Sequence, residues 1–385
     1  MMMTPQEKAA SGNGVFCTRC VMDTTDPDIH FDEQGICTHC HKAKRLLSAV
    51  RFSEEESRRR LEAIADKIKK QTEGKDYSCI VGLSGGVDSS YAAYVAHGMG
   101  LRILAVHFDN GWNSEIAVSN IKNIVKTLGL DLITYVINWE EFRDIQRAFI
   151  KASVVDIEMI TDHAIMAAMY RIAKEHGIRY ILSGQNYATE HCMPKAWIWN
   201  KQDLRNLKAI HRQYGETPLK TFPVLSTWRY LIYRRIFFEY VLPLNNLNYR
   251  KFEAMEILKR ELNWREYGAK HFESLFTKFY QAYILPVKFG IDKRKAHLSA
   301  LVRNGELTRD QAVQELSKPY YDPKELKQDK DYVFKKLGFS EGEFDSLMKQ
   351  QAIPHDHYGS DHSLVSRMLG IYETFKEWGV VKARR

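Results

Sequence analysis

The sequence predicts an α/β fold, a doubly wound parallel sheet with a cysteine knuckle ahead of it and a helical portion behind it. Three observations carry that expectation. Short apolar runs alternate with amphipathic stretches between about residues 75 and 185. One of those runs passes through a Gly-Gly turn straight into a helical pattern. Four of the six cysteines fall in two close pairs near residue 30. Strands that alternate with helices form parallel sheets whose two faces are both covered, because each crossover helix packs back on the sheet. The chain has 385 residues, enough for two or three units with buried cores. We divide it into a knuckle at 1–50, a nucleotide-type α/β domain at 51–200 and an α-helical portion at 201–385.

The elements follow in order. Cys17, Cys20, Cys37 and Cys40 read C-x2-C, sixteen residues, C-x2-C, and Asp26-Pro27-Asp28 and Gly35 mark turns between and within the pairs. Phe52–Lys70 is basic and amphipathic, with Leu61, Ile64, Ala65 and Ile68 at helical spacing. Strands are expected at Ser78–Leu83, Arg102–Phe108, Asp131–Ile137 and Arg179–Ser183. Helices are expected at Val87–His97, Glu115–Leu128, Glu140–Lys151 and Ile157–Glu175. From about Lys201 the pattern turns helical: Asp203–Tyr214, Thr227–Val241, Tyr249–Glu261, His271–Tyr283, Lys293–Arg303, Thr308–Ser317 and Asp361–Trp378.

Composition narrows the function classes. The most apolar stretch, Tyr230–Leu244, is broken by Arg234, Arg235 and Glu239, so no run reaches the ~18 apolar residues that a membrane helix needs. The first residues, MMMTPQEKAASGNG, lack the apolar region of a secretory signal. A cytoplasmic location is the expectation. The net charge of +8 suits anionic ligands but is spread along the chain, as on an ordinary solvated surface.

Two C-x2-C turns put four thiolates on one tetrahedral ion, which reads as structural zinc with no open position for water. Disulfides do not suit a cytosolic chain, and iron remains the lesser alternative. Cys79 lies in a strand and reads as packing, and Cys192 as a buried thiol. Asp162 and His163 fall on an amphipathic helix, where a lone histidine reads as core.

The segment Ser84-Gly85-Gly86-Val87-Asp88-Ser89-Ser90 carries the chemistry. Its glycines let backbone N–H groups approach an anion, the helix that follows adds its positive end, and three serines offer hydroxyls. The lysine of the GxxxxGK[ST] phosphate loop is missing. Such a loop suits a departing pyrophosphate better than γ-phosphoryl transfer. Asp88 beside an anion implies an intervening Mg²⁺. Ligands of open parallel sheets collect at the carboxyl ends of strands, here the loops after Leu83, Phe108 and Ser183.

SGGVDSS resembles the PP-loop of the ATP pyrophosphatase superfamily, over about residues 75–200. Further segments extend the likeness: Phe16–Cys40, FDNGWNS at Phe108–Ser114, SGQNYATE at Ser183–Glu190 and Lys288–Ala312 are similar to the N-acetyl-sugar amidotransferases of surface-polysaccharide biosynthesis, the pseudaminic and legionaminic acid type. The resemblance implies adenylation of an acetamido oxygen by ATP, attack by ammonia and an acetamidino product, on an N-acetylated, nucleotide-linked sugar. It implies a separate glutaminase like that of imidazole-glycerol-phosphate synthase, since no GxCxG elbow occurs in the chain. By the same match Ser84, Gly85, Gly86, Val87, Ser89 and Ser90 hold pyrophosphate, and Asp88 holds Mg²⁺. Phe108, Asp109, Gly184 and Gln185 border the nucleotide, Glu190 is a second acid, and Lys288, Arg294 and Lys295 neutralise the transferring phosphates. Two rivals stand beside this reading: a tRNA thiolase, and a zinc-ribbon module that binds nucleic acid.

Overall fold

The computed structural model describes residues 14–268 and 272–361. Its centre is a five-stranded sheet in the order β3-β2-β1-β4-β5. The strands are β1 (Cys79–Gly82), β2 (Ile103–Asp109), β3 (Asp131–Val136), β4 (Tyr180–Leu182) and β5 (Glu239–Val241). Every neighbouring pair is parallel, with Gly82 beside Val106 and Val81 beside Leu182. The sequence order reverses at β1, so the crevice beyond its carboxyl end is a topological switch point, where α/β sheets bind ligands.

Alternation along β1 explains the two covered faces. Cys79, Val81 and Leu83 pack with Ala92, Ala93, Ile121 and Ile124 of the helices Val87–Gly98 and Glu115–Leu128. Ile80 points the other way, onto Ala167, Tyr170 and Ala173 of the helix Met159–Glu175. Opposite pointing of successive side chains is the pleat itself.

The sheet corrects the predicted boundaries. Its fifth strand comes from Glu239–Val241, inside the portion read as helical, so the α/β unit does not end at residue 200. The expected Thr227–Val241 helix stops as α-helix at Ile232, makes a π turn over Tyr233–Phe237 and then extends. The aromatic run there satisfied a helical spacing, but Phe238 is wanted on the sheet face, where it meets Tyr170 at 5.0 Å. The other expected strands lie within about a residue of the observed ones. Helices Pro323–Leu337 and Glu341–Lys349 were not anticipated, and the expected Asp361–Trp378 helix, apart from Asp361, lies outside the described residues, as do residues 1–13.

The helical portion has its own buried cluster. Phe279 and Tyr280 pack with Phe334, Leu337 and Phe344, and against Phe142, Ile145 and Phe149 of the Trp139–Lys151 helix. Buried Glu141 and Asp144 tie the 216–222 loop to that helix: Glu141 accepts from the Thr221 and Phe222 N–H groups, and Asp144 from those of Glu216 and Thr217. Among the described residues no helix is long and apolar enough to cross a membrane.

Candidate functional site

The loop between β1 and the Val87–Gly98 helix is a tight nest. Gly85 has φ +80, and a Cβ there would meet the Ala117 carbonyl oxygen at 2.5 Å. Only glycine fits this conformation and this space. The loop is then gripped from outside: the Gly85 carbonyl accepts from Asn120 Nδ2 at 3.2 Å and from the Trp264 indole at 2.9 Å. Within it, the Ser84 hydroxyl accepts from the Gly86 N–H at 3.2 Å and lies 3.1 Å from the Ser89 hydroxyl. The N-cap of the helix is Gly86, with no side-chain cap of its own. Backbone N–H groups at a helix start, two serine hydroxyls and no bulky side chain form the donor set an anion needs.

Ser90 departs from the expectation. It is fully buried, and its hydroxyl donates to the Gly86 carbonyl at 2.6 Å. A fully buried serine bonded back to the i−4 carbonyl is occupied by the helix, so its hydroxyl is not one of the anion donors, whereas Ser89, whose hydroxyl meets the same carbonyl at 3.2 Å, is only partly buried.

Asp88 stands at the mouth of this nest. Its Oδ1 accepts from the Tyr249 hydroxyl at 2.6 Å and from Asn186 Nδ2 at 3.3 Å. Burial raises the Tyr249 phenol well above its usual range, and the Asp88 charge pushes it the same way, so Tyr249 remains a donor at neutral pH. Asn186 also caps the short Tyr187–Glu190 helix, accepting from the Thr189 N–H at 2.9 Å. Gly184 lets that loop approach: a Cβ there would lie 2.6 Å from the Asp88 carbonyl carbon. Gln185 beside it is exposed. Glu190 ends that short helix, is exposed, and its charge adds to the rise of Tyr249.

Two residues missed by sequence reasoning overhang Gly86. A Cβ on Gly86 would meet the Tyr267 hydroxyl at 3.1 Å and Glu273 Oε1 at 3.3 Å. Burial pushes the Tyr267 phenol well up, and the charges of Glu273 and Asp88 add to that. The segment is pinned where the Ser114 N–H donates to the Glu273 carbonyl at 2.8 Å. No local pattern signals them, since more than 150 residues separate them from the glycine turn.

Phe108 and Asp109 close β2, which runs one residue beyond the expected strand, and both shape the loop that follows. Phe108 stacks on Tyr135 at 5.4 Å, and Asp109 Oδ1 accepts from the Gly111 N–H at 2.8 Å and from Asn113 Nδ2 at 3.1 Å. The three late bases are corrections. Lys288 Nζ donates to the Leu347 and Gln350 carbonyls in the helical cluster. Arg294 pairs with Asp292 at 3.0 Å and lies over the Tyr320 ring. Lys295 pairs with Asp23 at 2.5 Å, against the knuckle. Each head group is engaged by neighbours in its own region, Lys288 by carbonyls and the other two by carboxylates, and none of these contacts is with the Ser84–Ser90 nest.

The four knuckle cysteines are buried and free of disulfides. Cys17 Sγ lies 3.8 Å from Cys40 Sγ, and Cys20 Sγ 3.8 Å from Cys37 Sγ. A tetrahedral ion with sulfur at about 2.3 Å has an S···S edge of about 3.8 Å, 1.63 bond lengths, so the sulfurs fit zinc. Hydrogen bonds among the sulfurs lower Cys17 and raise Cys37 and Cys40. Antiparallel bridges Phe16–Asp23 and Phe31–Cys37 form the two turns. Cys192 is also buried, its thiol donating to the Ala296 carbonyl at 3.0 Å. His163 is a core histidine, bonded to the Lys201 carbonyl and the Leu225 N–H.

The chain is similar to known families in two places. Residues 60–186 match the asparagine synthase family, and residues 273–372 match the family described as LPS biosynthesis protein WbpG-like, C-terminal domain. One chain thus joins a segment similar to asparagine synthases to a segment similar to the C-terminal domain of WbpG-like LPS biosynthesis proteins. No curated protein matches the chain. Among solved structures, the NMN synthetase of Francisella tularensis is similar at 15% identity and a TM-score of 0.34, with 75% of this chain and 98% of that one covered.

Proposed function

We propose that the protein is an ATP-dependent amidotransferase of surface-glycan biosynthesis that turns the acetamido group of an N-acetylated, nucleotide-linked sugar into an acetamidino group. The observation that carries this reading is the junction in one chain of an asparagine synthase-type segment, which holds the Ser84–Ser90 nest, with a WbpG-like segment. The nest lacks the lysine that would neutralise β and γ oxygens, so it favours pyrophosphate as the leaving group.

The amide oxygen attacks the α-phosphorus of ATP, and the bond to the bridging β oxygen breaks to release pyrophosphate. Ammonia adds to the activated carbon, the carbon–oxygen bond breaks, and AMP leaves with the former amide oxygen. Loss of a proton leaves the amidine. The chain supplies the anion nest at Gly85 and Gly86, hydroxyls at Ser84 and Ser89, and a carboxylate at Asp88 oriented by Tyr249 and Asn186. Mg²⁺ at Asp88 would offset phosphate charge as pyrophosphate departs. A separate glutaminase subunit supplies ammonia in this reading, and zinc in the knuckle is structural.

Incubation with ATP, Mg²⁺, ammonium and nucleotide-linked sugars carrying ¹⁸O in the acetamido group tests it. The label is expected in AMP, with pyrophosphate released in equal amount. ADP with orthophosphate, or unlabelled AMP, refutes it. The buried Cys192 gives no support to a persulfide-carrying thiolase.

A further inference from the structure

The knuckle and the loop after β4 are held by one side chain. Arg303, on the Lys293–Asn304 helix, is 5% exposed. Its Nε donates to Cys40 Sγ at 3.2 Å and its Nη2 to Cys20 Sγ at 3.1 Å, with Cys37 Sγ at 3.9 Å. The remaining arm, Nη1, lies 3.4 Å from His191 Nε2. His191 Nδ1 bonds the Tyr187 carbonyl, which can only accept, so the ring proton is on Nδ1 and Nε2 accepts from Arg303. Tyr187 opens the short helix capped by Asn186, and Asn186 donates to Asp88. The path from sulfur to the Asp88 carboxylate is therefore continuous: thiolates, guanidinium, imidazole, one helical turn, amide.

We propose that Arg303 is a positioning residue that couples metal occupancy of the four-cysteine site to the geometry of the Gly184–Glu190 loop. The consequence for Asp88 chemistry rests on the nucleotide reading above, whereas the coupling itself does not.

Charge is the reason an arginine is needed. Four thiolates around one divalent cation carry four negative charges against two positive, a net −2 in a site where all four cysteines are buried. A buried anion of that size needs a paired cation. Arginine alone offers a planar fork that reaches two sulfurs with one edge and a histidine with another; a lysine ammonium supplies the charge without the fork. The dependence runs both ways. This buried guanidinium bonds Cys20, Cys37, Cys40 and His191, so it gains counter-charge from the knuckle sulfurs once they are deprotonated, which metal binding enforces. With metal bound, Arg303 is fixed and presents Nη1 to His191. Without it, the anchor for the loop is lost. The segment that carries Arg303 is also tied to the knuckle backbone: the Val21 N–H donates to Ser299 Oγ at 3.1 Å, and Arg309 Nε donates to the Cys17 and Cys20 carbonyls at 3.2 Å.

The test uses the full chain loaded with zinc and no nucleotide, so an enzyme that fails to cleave ATP leaves it intact. Zinc release to a chromogenic chelator is timed for the natural protein and for Arg303→Lys. Release about 10–100-fold faster in the variant is expected, the usual effect of removing an outer-shell donor. Backbone hydrogen exchange is then compared over residues 183–192. It should be about tenfold faster in the zinc-loaded variant, while the Glu115–Leu128 helix is unchanged. Unchanged release, or faster release with unchanged exchange at 183–192, overturns the proposal. Should Arg303→Lys not fold, the natural protein serves alone: graded zinc removal must loosen 183–192 before the Glu115–Leu128 helix. Simultaneous opening of the two segments rejects the coupling.

Discussion

The Ser84–Ser90 nest and the Cys17–Cys40 knuckle are both short turns gripped by residues far along the chain, yet they are built on opposite plans. The nest is a set of donors around a space, namely glycine N–H groups, a helix start and two hydroxyls, with one acceptor at its mouth, the Asp88 carboxylate held by Tyr249 and Asn186. The knuckle is a set of acceptors around a point, its four sulfurs buried and its shell closed. A closed shell can stabilise a fold but has no position for a reactant, whereas an open nest can bind and release one at the cost of leaving donors unsatisfied between turnovers. In the function proposed above, that difference gives chemistry to the nest and stability to the knuckle.

The largest expected effect would break that assignment if it failed. Asp88→Asn keeps the acceptor for Tyr249 but removes the charge, and should lower kcat/KM by about 10³-fold, some 4 kcal/mol of transition-state stabilisation. The melting temperature should stay where it is. A variant that keeps its activity, or that loses it only because it unfolds, would move the nest to the structural side.

Cys37→Ser is the mirror experiment. It should abolish stoichiometric zinc and lower the melting temperature by about 10 °C or more, because binding energy of the metal is folding energy here. The initial rate per folded molecule should fall less than tenfold. A large loss of rate with unchanged melting would place chemistry in the knuckle.

Gly85→Ala sharpens the comparison at the level of backbone. The alanine would need φ +80 and would press a methyl to 2.5 Å from the Ala117 carbonyl oxygen. A cost of about 1–3 kcal/mol in stability is expected, with weaker nucleotide binding by calorimetry. Gly74 makes the control: it has φ +73 with nothing within 4 Å of a Cβ, so Gly74→Ala should cost only the conformational part, about 1 kcal/mol. Equal losses for the two would mean that strain, not space, sets the glycine at 85.

Much of this was written in local pattern. The cysteine spacing marked the knuckle, since two C-x2-C turns admit few other uses, and the apolar runs placed β1 to β4. The glycine turn marked the nest. What stayed hidden was long-range. β5 lay inside an aromatic run whose period read as helical until the sheet claimed Phe238. Lys288, Arg294 and Lys295 were legible as charges but not as partners of Leu347, Asp292 and Asp23. Tyr249, Tyr267, Glu273 and Arg303 carry no motif at all. Their role is set by which surfaces the helical portion brings against the sheet, and periodicity does not encode that.

The smallest expected effect concerns the scaffold that both regions share, and it uses pH. His355 is 2% exposed, donates from Nδ1 to Asn206 Oδ1 at 2.8 Å and accepts the Asp156 N–H on Nε2 at 3.3 Å, so the ring is neutral in the fold. Burial lowers its pKa from 6.5 to about 4, against the opposing pull of Asp156. A histidine depressed in this way contributes stability that is complete above the unfolded value near 6.5. The contribution is lost as pH falls toward 4, because the unfolded chain takes up the proton first. Between pH 7 and pH 5 the loss is about 1–2 kcal/mol for this one group. The gap between denaturant midpoints at the two values should therefore narrow in His355→Gln, which has no proton to gain, without closing, because buried His191 and His163 are depressed in the same direction and stay in place. The contrast with the knuckle is diagnostic: acid that loosens the chain through His355 does so with zinc still bound, whereas acid that acts through the sulfurs releases the metal as stability falls, and the metal content at each pH tells the two apart.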